Sequence, residues 1–203
     1  MSHSARRRIL LATASVTGLA LAVPAWAGLL RTPPQALGPF YPQQLPLDDD
    51  NDLVSVAGQS GIARGEICNL HGRIVDETGQ PLAAARVEIW QCNAFGRYHH
   101  PGDRGERPLD PNFQGYGRFV TGSDGGYRFR TIKPIAYTAI LGGREIWRAP
   151  HIHITVSTDG VRRLTSQLYV DGDSHNATDS LLNRLTSEAE RAGIVRPYLP
   201  ADD

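Results

Sequence analysis

The side chains of this chain best suited to chemistry are His151 and His153, in the run Arg148-Ala-Pro-His-Ile-His153 that leads into Ile154-Thr-Val156. In a β-strand successive side chains alternate faces, so the two imidazoles project the same way while Ile152 points into the opposite layer. Two imidazoles on one face make half a metal site. A bare His-x-His is more often one or two ordinary polar positions on a half-exposed strand. What changes the balance is the company: Tyr137 and Trp147 just upstream, and Tyr98 in the loop Gly96-Arg-Tyr-His-His100. Cys68 and Cys92 fall inside predicted strands, and no Asp or Glu follows the histidines at the short spacing of a cupin-type jelly roll. Zinc and cupin readings weaken accordingly. A metal-dependent hydrolase would need zinc and a carboxylate base, and no carboxylate is placed for that role. The phenols of Tyr98 and Tyr137 remain as donors. A phenol normally stays protonated, with a pKa of about 10, but a highly charged hard cation can hold it as phenolate. Two phenolates with two imidazoles suit ferric iron.

The elements that must position these groups read as β structure. From Glu66 onward the chain consists of short runs rich in β-branched residues, punctuated by Gly and Asp, the pattern of an antiparallel sandwich or barrel. Residues 73–76 and 85–91, joined through Glu77-Thr-Gly-Gln-Pro81, predict a hairpin. Residues 117–121 and 127–131, flanking Ser123-Asp-Gly-Gly126, predict a second. Residues 151–157 and 164–170 predict a third pair. Leu181, Leu182, Leu185 and Ala189 recur at helical spacing with Gly193 just beyond, which predicts one C-terminal helix. The expected fold is an all-β antiparallel sandwich with long active-site loops and a short C-terminal helix. Two irregular stretches, residues 93–116 and 133–149, carry Tyr98, Tyr137, Trp147 and Arg148 and read as the walls of a site, because loops this long in a compact β domain are usually functional.

The N-terminal part reads differently. Arg6, Arg7 and Arg8, the uncharged apolar run from Ile9 to Val23 and Ala25-Trp-Ala27 have the layout of an export signal over residues 1–27, with the arginines fitting the twin-arginine type. The protein is therefore expected to be exported, to the periplasm or beyond, with no stable membrane span after signal removal; the apolar run is short for one. Residues 28–62, with Pro33, Pro34, Pro39, Pro42 and Pro46, predict an extended arm pinned by Gly38-Pro-Phe-Tyr-Pro42, and residues 63–203 the β domain. Of 21 basic and 21 acidic residues, the signal removes three basic ones and no acids, leaving a mildly acidic protein with 18 against 21. Lys133 is the sole lysine, and no basic run points to nucleic acid, so a small soluble ligand is expected. Cys68 and Cys92 are compatible with a cross-strand bridge in an exported protein or with two free buried thiols.

Several segments together carry a resemblance to a known family. They include Gly38-Pro-Phe-Tyr-Pro42, Gly72-Arg-Ile-Val-Asp-Glu-Thr-Gly-Gln-Pro81, Val87-Glu-Ile-Trp-Gln-Cys-Asn-Ala94, Gly96-Arg-Tyr-His99, Asp110-Pro-Asn-Phe113, residues 121–127, Arg130-Thr-Ile-Lys-Pro134, residues 147–153 and Gln167-Leu-Tyr169. In this order the chain resembles the intradiol ring-cleavage dioxygenases, and looks most like the iron-bearing β subunit of the protocatechuate 3,4-dioxygenase type. The resemblance implies a non-haem Fe(III) ion held by Tyr98, Tyr137, His151 and His153, with Arg148 beside the bound catechol and Gln167 bordering the pocket. It implies a catecholic substrate and O2, cleavage between the two hydroxyls to a muconate-type diacid, and one tyrosine that gives way to substrate; Tyr137 is expected to be that one, because it sits in an irregular stretch followed by Gly142 and Gly143 that can move. A homo-oligomer or a second subunit is expected; a dimer built on the helical N-terminal domain of the catechol 1,2 type is not. Two departures bear on substrate. Ala149-Pro150 reverses the family's usual Pro-Ala, which still leaves a proline-restricted backbone before the strand. Residues 138–143, Thr-Ala-Ile-Leu-Gly-Gly, lack the aromatic and basic residues of protocatechuate enzymes, which favours a neutral catechol. The rival reading is a non-enzymatic exported sandwich of transthyretin-like or carbohydrate-binding type, which would have no reason to hold two tyrosines and two histidines at this spacing.

Overall fold

The computed structural model describes residues 30–199 apart from Leu47 and Gly142, so the expected export signal lies outside the described residues. Among the described residues the β-branched and aromatic runs form β1 (Ile67–Arg73), β2 (Arg86–Trp90), β3 (Tyr116–Val120), β4 (Gly126–Ile132), β5 (Tyr137–Leu141), β6 (Arg144–Arg148), β7 (His151–Thr158), β8 (Val161–Val170) and the two-residue β9 (Val195–Arg196). Strands β3, β2, β7, β8 and β9 lie side by side in one sheet; β1 with β4 and β5 with β6 form separate ribbons. Every pairing between these strands is antiparallel except β8 with β9. None of the helices described is long and apolar enough to cross a membrane.

The period of two along each strand divides the five-stranded sheet into two unlike faces. One face carries Val87 and Ile89 of β2 and Ile152 and Ile154 of β7. These pack against Phe129 and Ile132 of β4 and against Leu53 and Val54 from the segment before β1. This is the sandwich core, and each such side chain withdrawn from water contributes about 2 kcal/mol. The other face carries Glu88 and Trp90 of β2, Tyr116 of β3, His151, His153 and Thr155 of β7, and Gln167 and Tyr169 of β8. It is buried as well, because the arm, the loop from Asn93 to Gly115 and the β5–β6 ribbon cover it; β7 consequently has no exposed position. Hydrogen bonds from the Gln35 N–H to Thr165 O (2.8 Å) and from Ser166 Oγ to Pro33 O (2.8 Å) fasten the arm along β8.

The structure corrects several sequence expectations. The first two predicted hairpins do not form. β1 pairs with β4 and β2 with β3; the Glu77–Pro81 turn reverses the chain only at the single Val75–Pro81 bridge before the chain crosses to the other layer, and the Ser123–Gly126 turn leads from one layer to the other. The turn residues are used as expected locally. Gly125 has φ +72°, and a Cβ there would lie 2.4 Å from Ile74 O, so only glycine fits. Turn chemistry specifies a reversal but not whether the next strand pairs edge to edge or packs face to face. Residues 133–149 are not an irregular loop but mainly the β5–β6 ribbon. The leucine-rich segment is a 3-10 turn at Leu182–Arg184, and the helix α1 spans Glu188–Ile194, capped by the Ser187 side chain and containing Gly193. The predicted periodicity spans two elements because Asp179 engages the Leu181 and Leu182 N–H groups and Ser187 starts a new helix. Cys68 and Cys92 are free thiols in different layers, which removes the bridge.

Candidate metal centre

The register of the sheet brings the site together. His153 lies opposite Trp90 on β2 and Gln167 on β8, and His151 opposite Tyr169. The His153 ring stacks on the Trp90 indole with centroids 4.7 Å apart and planes 7° apart, which fixes its tilt. On its other side Gly38 of the arm has φ +78°, and a Cβ there would come within 3.0 Å of His153 Cε1. Tyr137 opens β5 and reaches the same face. Tyr98 arrives from the Asn93–Gly115 loop, whose backbone is held by Asn93 Oδ1 accepting from the Phe95 and Arg97 N–H groups and by Asp103 Oδ2 accepting from the Tyr98 N–H at 2.8 Å.

The four sequence-predicted ligands are brought into one chain of close contacts. Tyr98 Oη lies 3.3 Å from Tyr137 Oη, Tyr137 Oη 3.5 Å from His151 Nε2, and His151 Nε2 3.2 Å from His153 Nε2. All four residues are buried. His151 Nδ1 is 2.6 Å from Ala149 O. A carbonyl can only accept, so Nδ1 carries the proton and Nε2 presents its lone pair inward. Burial first, and then the Arg148 charge, pushes the His151 imidazolium down to about 3. Burial, the neighbouring His151 and Arg148 push His153 well down too. Both rings are neutral nitrogen donors across the ordinary pH range. Burial raises both phenols, most strongly Tyr98, while the Arg148 charge pulls each back toward phenolate. Arg148 thus biases all four side chains toward the form that ligates a cation.

The donor set fits a metal ion. Nitrogen and oxygen ligands about 2.1 Å from a shared ion, with ordinary ligand–metal–ligand angles, stand about 3.3 Å from one another, which matches the three spacings above. Among the described residues no group of three or more His, Cys, Asp and Glu side chains offers an alternative site. A hard trivalent cation supplies the charge needed to hold two phenols deprotonated.

Arg148 and Gln167 are placed beside this set. Arg148 is only 3% exposed. Its Nε donates to Asp179 Oδ2 (2.8 Å) and its Nη2 to Gln167 Oε1 (2.6 Å) and Tyr169 Oη (3.3 Å). Gln167 Nε2 donates in turn to Ala36 O in the arm (3.1 Å), and Tyr169 Oη to Gln35 Oε1 (3.1 Å). Sequence reasoning misses Asp179, Tyr169, Asp103 and the role of Gly38. Tyr169 is within its reach, because it sits two residues from Gln167 on the same strand face. Asp179, 31 residues from Arg148, carries no sequence signal that distinguishes it from any other acid.

Residues 37–196 match the protein family described as Dioxygenase. The chain is 43% identical over 151 residues to the protocatechuate 3,4-dioxygenase beta chain of Burkholderia cepacia, covering 73% of this chain and 63% of that one. The chain belongs to the intradiol ring-cleavage dioxygenase family. It is also 35% identical over 181 residues to a catechol 1,2-dioxygenase of Acinetobacter baylyi, covering 81% of this chain and 52% of the relative. The solved catechol 1,2-dioxygenase from an Acinetobacter species superposes with a TM-score of 0.62 at 32% identity, over 85% of this chain and 55% of that one. The chain thus spans between half and two thirds of the length of these relatives. The all-β sandwich expected from the sequence is the architecture observed, and the family uses non-haem iron.

Proposed function

We propose that the protein is a ferric intradiol dioxygenase that converts a catechol and one molecule of O2 into a muconate-type diacid, both oxygen atoms ending in the product. The observation that carries this reading is the buried chain of four donors, Tyr98, Tyr137, His151 and His153, at successive separations of 3.3, 3.5 and 3.2 Å. When bound there, Fe(III) supplies a Lewis-acidic, redox-active centre for the catecholate and O2. The rest follows from the chain's own groups. His151 and His153 offer neutral nitrogens. Tyr137 Oη accepts one of the two protons that the catechol loses, a base placed next to the hydroxyl it serves. Arg148 stabilises negative charge on the ring, a contribution of about 3 kcal/mol by analogy with a preorganised donor. Phe40, Trp90 and Ala139 of the β5–β6 ribbon pack with Tyr98 and Tyr137 in one buried cluster, which keeps bulk water from the two phenols.

Neutral catechols are the proposed substrate class. The next inward position after Tyr137 is the small, buried Ala139, and Thr138-Ala139-Ile140 brings no charge to the site. The similarity to a β chain supports assembly with a second subunit or further copies, and Arg6-Arg7-Arg8 supports export by the twin-arginine route.

The deciding experiment is the visible spectrum and metal content of the purified protein, followed by O2 uptake on a panel of catechols. A tyrosinate-to-iron charge-transfer band with one iron per chain and faster turnover of catechol than of protocatechuate is expected. Replacing His151 or His153 by Ala should abolish iron binding, since no neighbouring side chain replaces the lost nitrogen. The exposed His71→Ala is the control. A colourless protein with stoichiometric zinc would sink the reading.

A further inference from the structure

We propose that Asp179 is a positioning residue that decides which edge of the Arg148 guanidinium faces the substrate, and that it holds His151 through the same contact. The inference rests on the ring-cleavage reading above. Asp179 is fully buried, and both its oxygens are occupied. Oδ2 accepts from Arg148 Nε (2.8 Å) and from the Ala149 N–H (2.9 Å); Oδ1 accepts from the Leu181 and Leu182 N–H groups, both at 3.0 Å. The carboxylate is therefore anchored in the segment before the 3-10 turn, and it grips two consecutive residues at the junction of β6 and β7.

The grip has two consequences. A guanidinium is planar, so fixing two nitrogens fixes the third. Nε is committed to Asp179 and Nη2 to Gln167 and Tyr169. Nη1 has no partner among the described residues, and it is not among their sealed, unpartnered polar atoms, so it remains free to meet a ligand. Asp179 is also the only ion-pair partner of Arg148 among the described residues. Without it a buried cation would be uncompensated and would turn toward the phenols or the substrate's oxygens. The second consequence runs through Ala149, whose N–H is held by Asp179 while its carbonyl accepts from His151 Nδ1 at 2.6 Å. One carboxylate thus orients both the cation beside the ring and the imidazole that ligates the metal, the kind of outer contact whose loss commonly lowers activity about 10- to 100-fold.

The test combines kinetics with a readout on the arginine itself. In the full chain labelled with 15N-arginine, before iron loading, one Nε–H should exchange far more slowly than those of exposed arginines and should be missing in Arg148→Lys. In Asp179→Asn an amide must turn its NH2 either toward Arg148 Nε and Ala149 N or toward Leu181 N and Leu182 N, donors facing donors in either case. That Nε–H should then exchange faster than in the wild type, because its acceptor is lost in the first orientation and becomes a neutral amide oxygen in the second. After iron loading, Asp179→Asn should keep the charge-transfer band while kcat on catechol falls about 10- to 100-fold and KM changes far less. Fast exchange in the wild type overturns the proposal, and this measurement alone decides if the variant does not fold. An unchanged kcat overturns it as well, and a loss that only tracks lost iron overturns the steering of Arg148. If the wild type turns over no catechol, the ring-cleavage reading fails, whereas the exchange rates still report whether the clamp exists.

Discussion

Tyr137 and Arg148 are Cα partners at the end of the β5–β6 ribbon remote from its turn. The ribbon is therefore anchored where it meets the site, through Arg148 and Asp179, and open at Gly143, where a Cβ would meet nothing within 4 Å. A sequence reading that puts Tyr137 in a mobile loop has the mechanics reversed. If Tyr137 yields to the substrate, its side chain rotates on a held backbone.

This sets the first prediction, on the two tyrosines. Tyr98 lies in a loop fixed by Asp103 and packs on Phe40 with ring centroids 4.7 Å apart. Tyr137→Phe should retain iron and bind catechol but turn over roughly 100-fold more slowly or worse, the scale of losing a placed base. Tyr98→Phe should mainly lose iron and colour. Stopped-flow mixing with anaerobic catechol checks this; if Tyr137→Phe forms the chelate at the wild-type rate and Tyr98→Phe does not, the roles are exchanged.

The second concerns Gly38. Gly38→Ala places a Cβ against His153 Cε1 and imposes a left-handed φ on alanine, at about 1–2 kcal/mol. Gly58→Ala carries the same backbone penalty, with φ +83° and nothing near its Cβ. Both variants should melt a few degrees early, but only Gly38→Ala should release iron faster to a chelator. Equal release rates would show that the contact with His153 is irrelevant to the metal.

Glu88 offers a test of the buried face away from the metal. Its carboxylate accepts from Tyr41 Oη (3.0 Å), Tyr116 Oη (2.5 Å) and Thr155 Oγ1 (3.1 Å), tying the arm to β2, β3 and β7. Glu88→Gln turns an amide toward at least one hydroxyl donor, and we expect a loss of about 1–3 kcal/mol in denaturant unfolding. A variant as stable as the wild type would mean that the hydroxyls find other acceptors.

The thiols give a fourth prediction. Burial pushes Cys68 up to about 11 and Cys92 up to about 12. Thiolate is the reactive form, so at pH 8 neither should alkylate with iodoacetamide on the minutes scale. Two equivalents should react once the chain is unfolded in urea without reductant. Fewer than two would show that the cysteines are not free.

Much of this protein is legible in the order of its residues alone. The alternation along residues 151–156 separates two inward histidines from the core-facing Ile152 and Ile154, because the period of a strand is a local property. The family resemblance singles out Tyr98, Tyr137, Arg148 and Gln167, and the density of β-branched runs indicates the sandwich. What the sequence does not supply is any decision between partners distant along the chain. Turn residues near Gly79 and Gly125 look the same whether the following strand pairs in the same sheet or crosses to the other layer, because the distinction lies in face-to-face burial of Val87, Ile89, Phe129 and Ile132. The β5–β6 ribbon escapes notice because Tyr137 to Arg148 lacks a polar alternation: one side of it lies against the site and the other leaves Ile140 72% exposed. Asp179 becomes legible only when the fold carries it to Arg148. Its carboxylate is fixed by burial and by four donors from two separate segments, a property of the assembled structure that no spacing along the chain encodes.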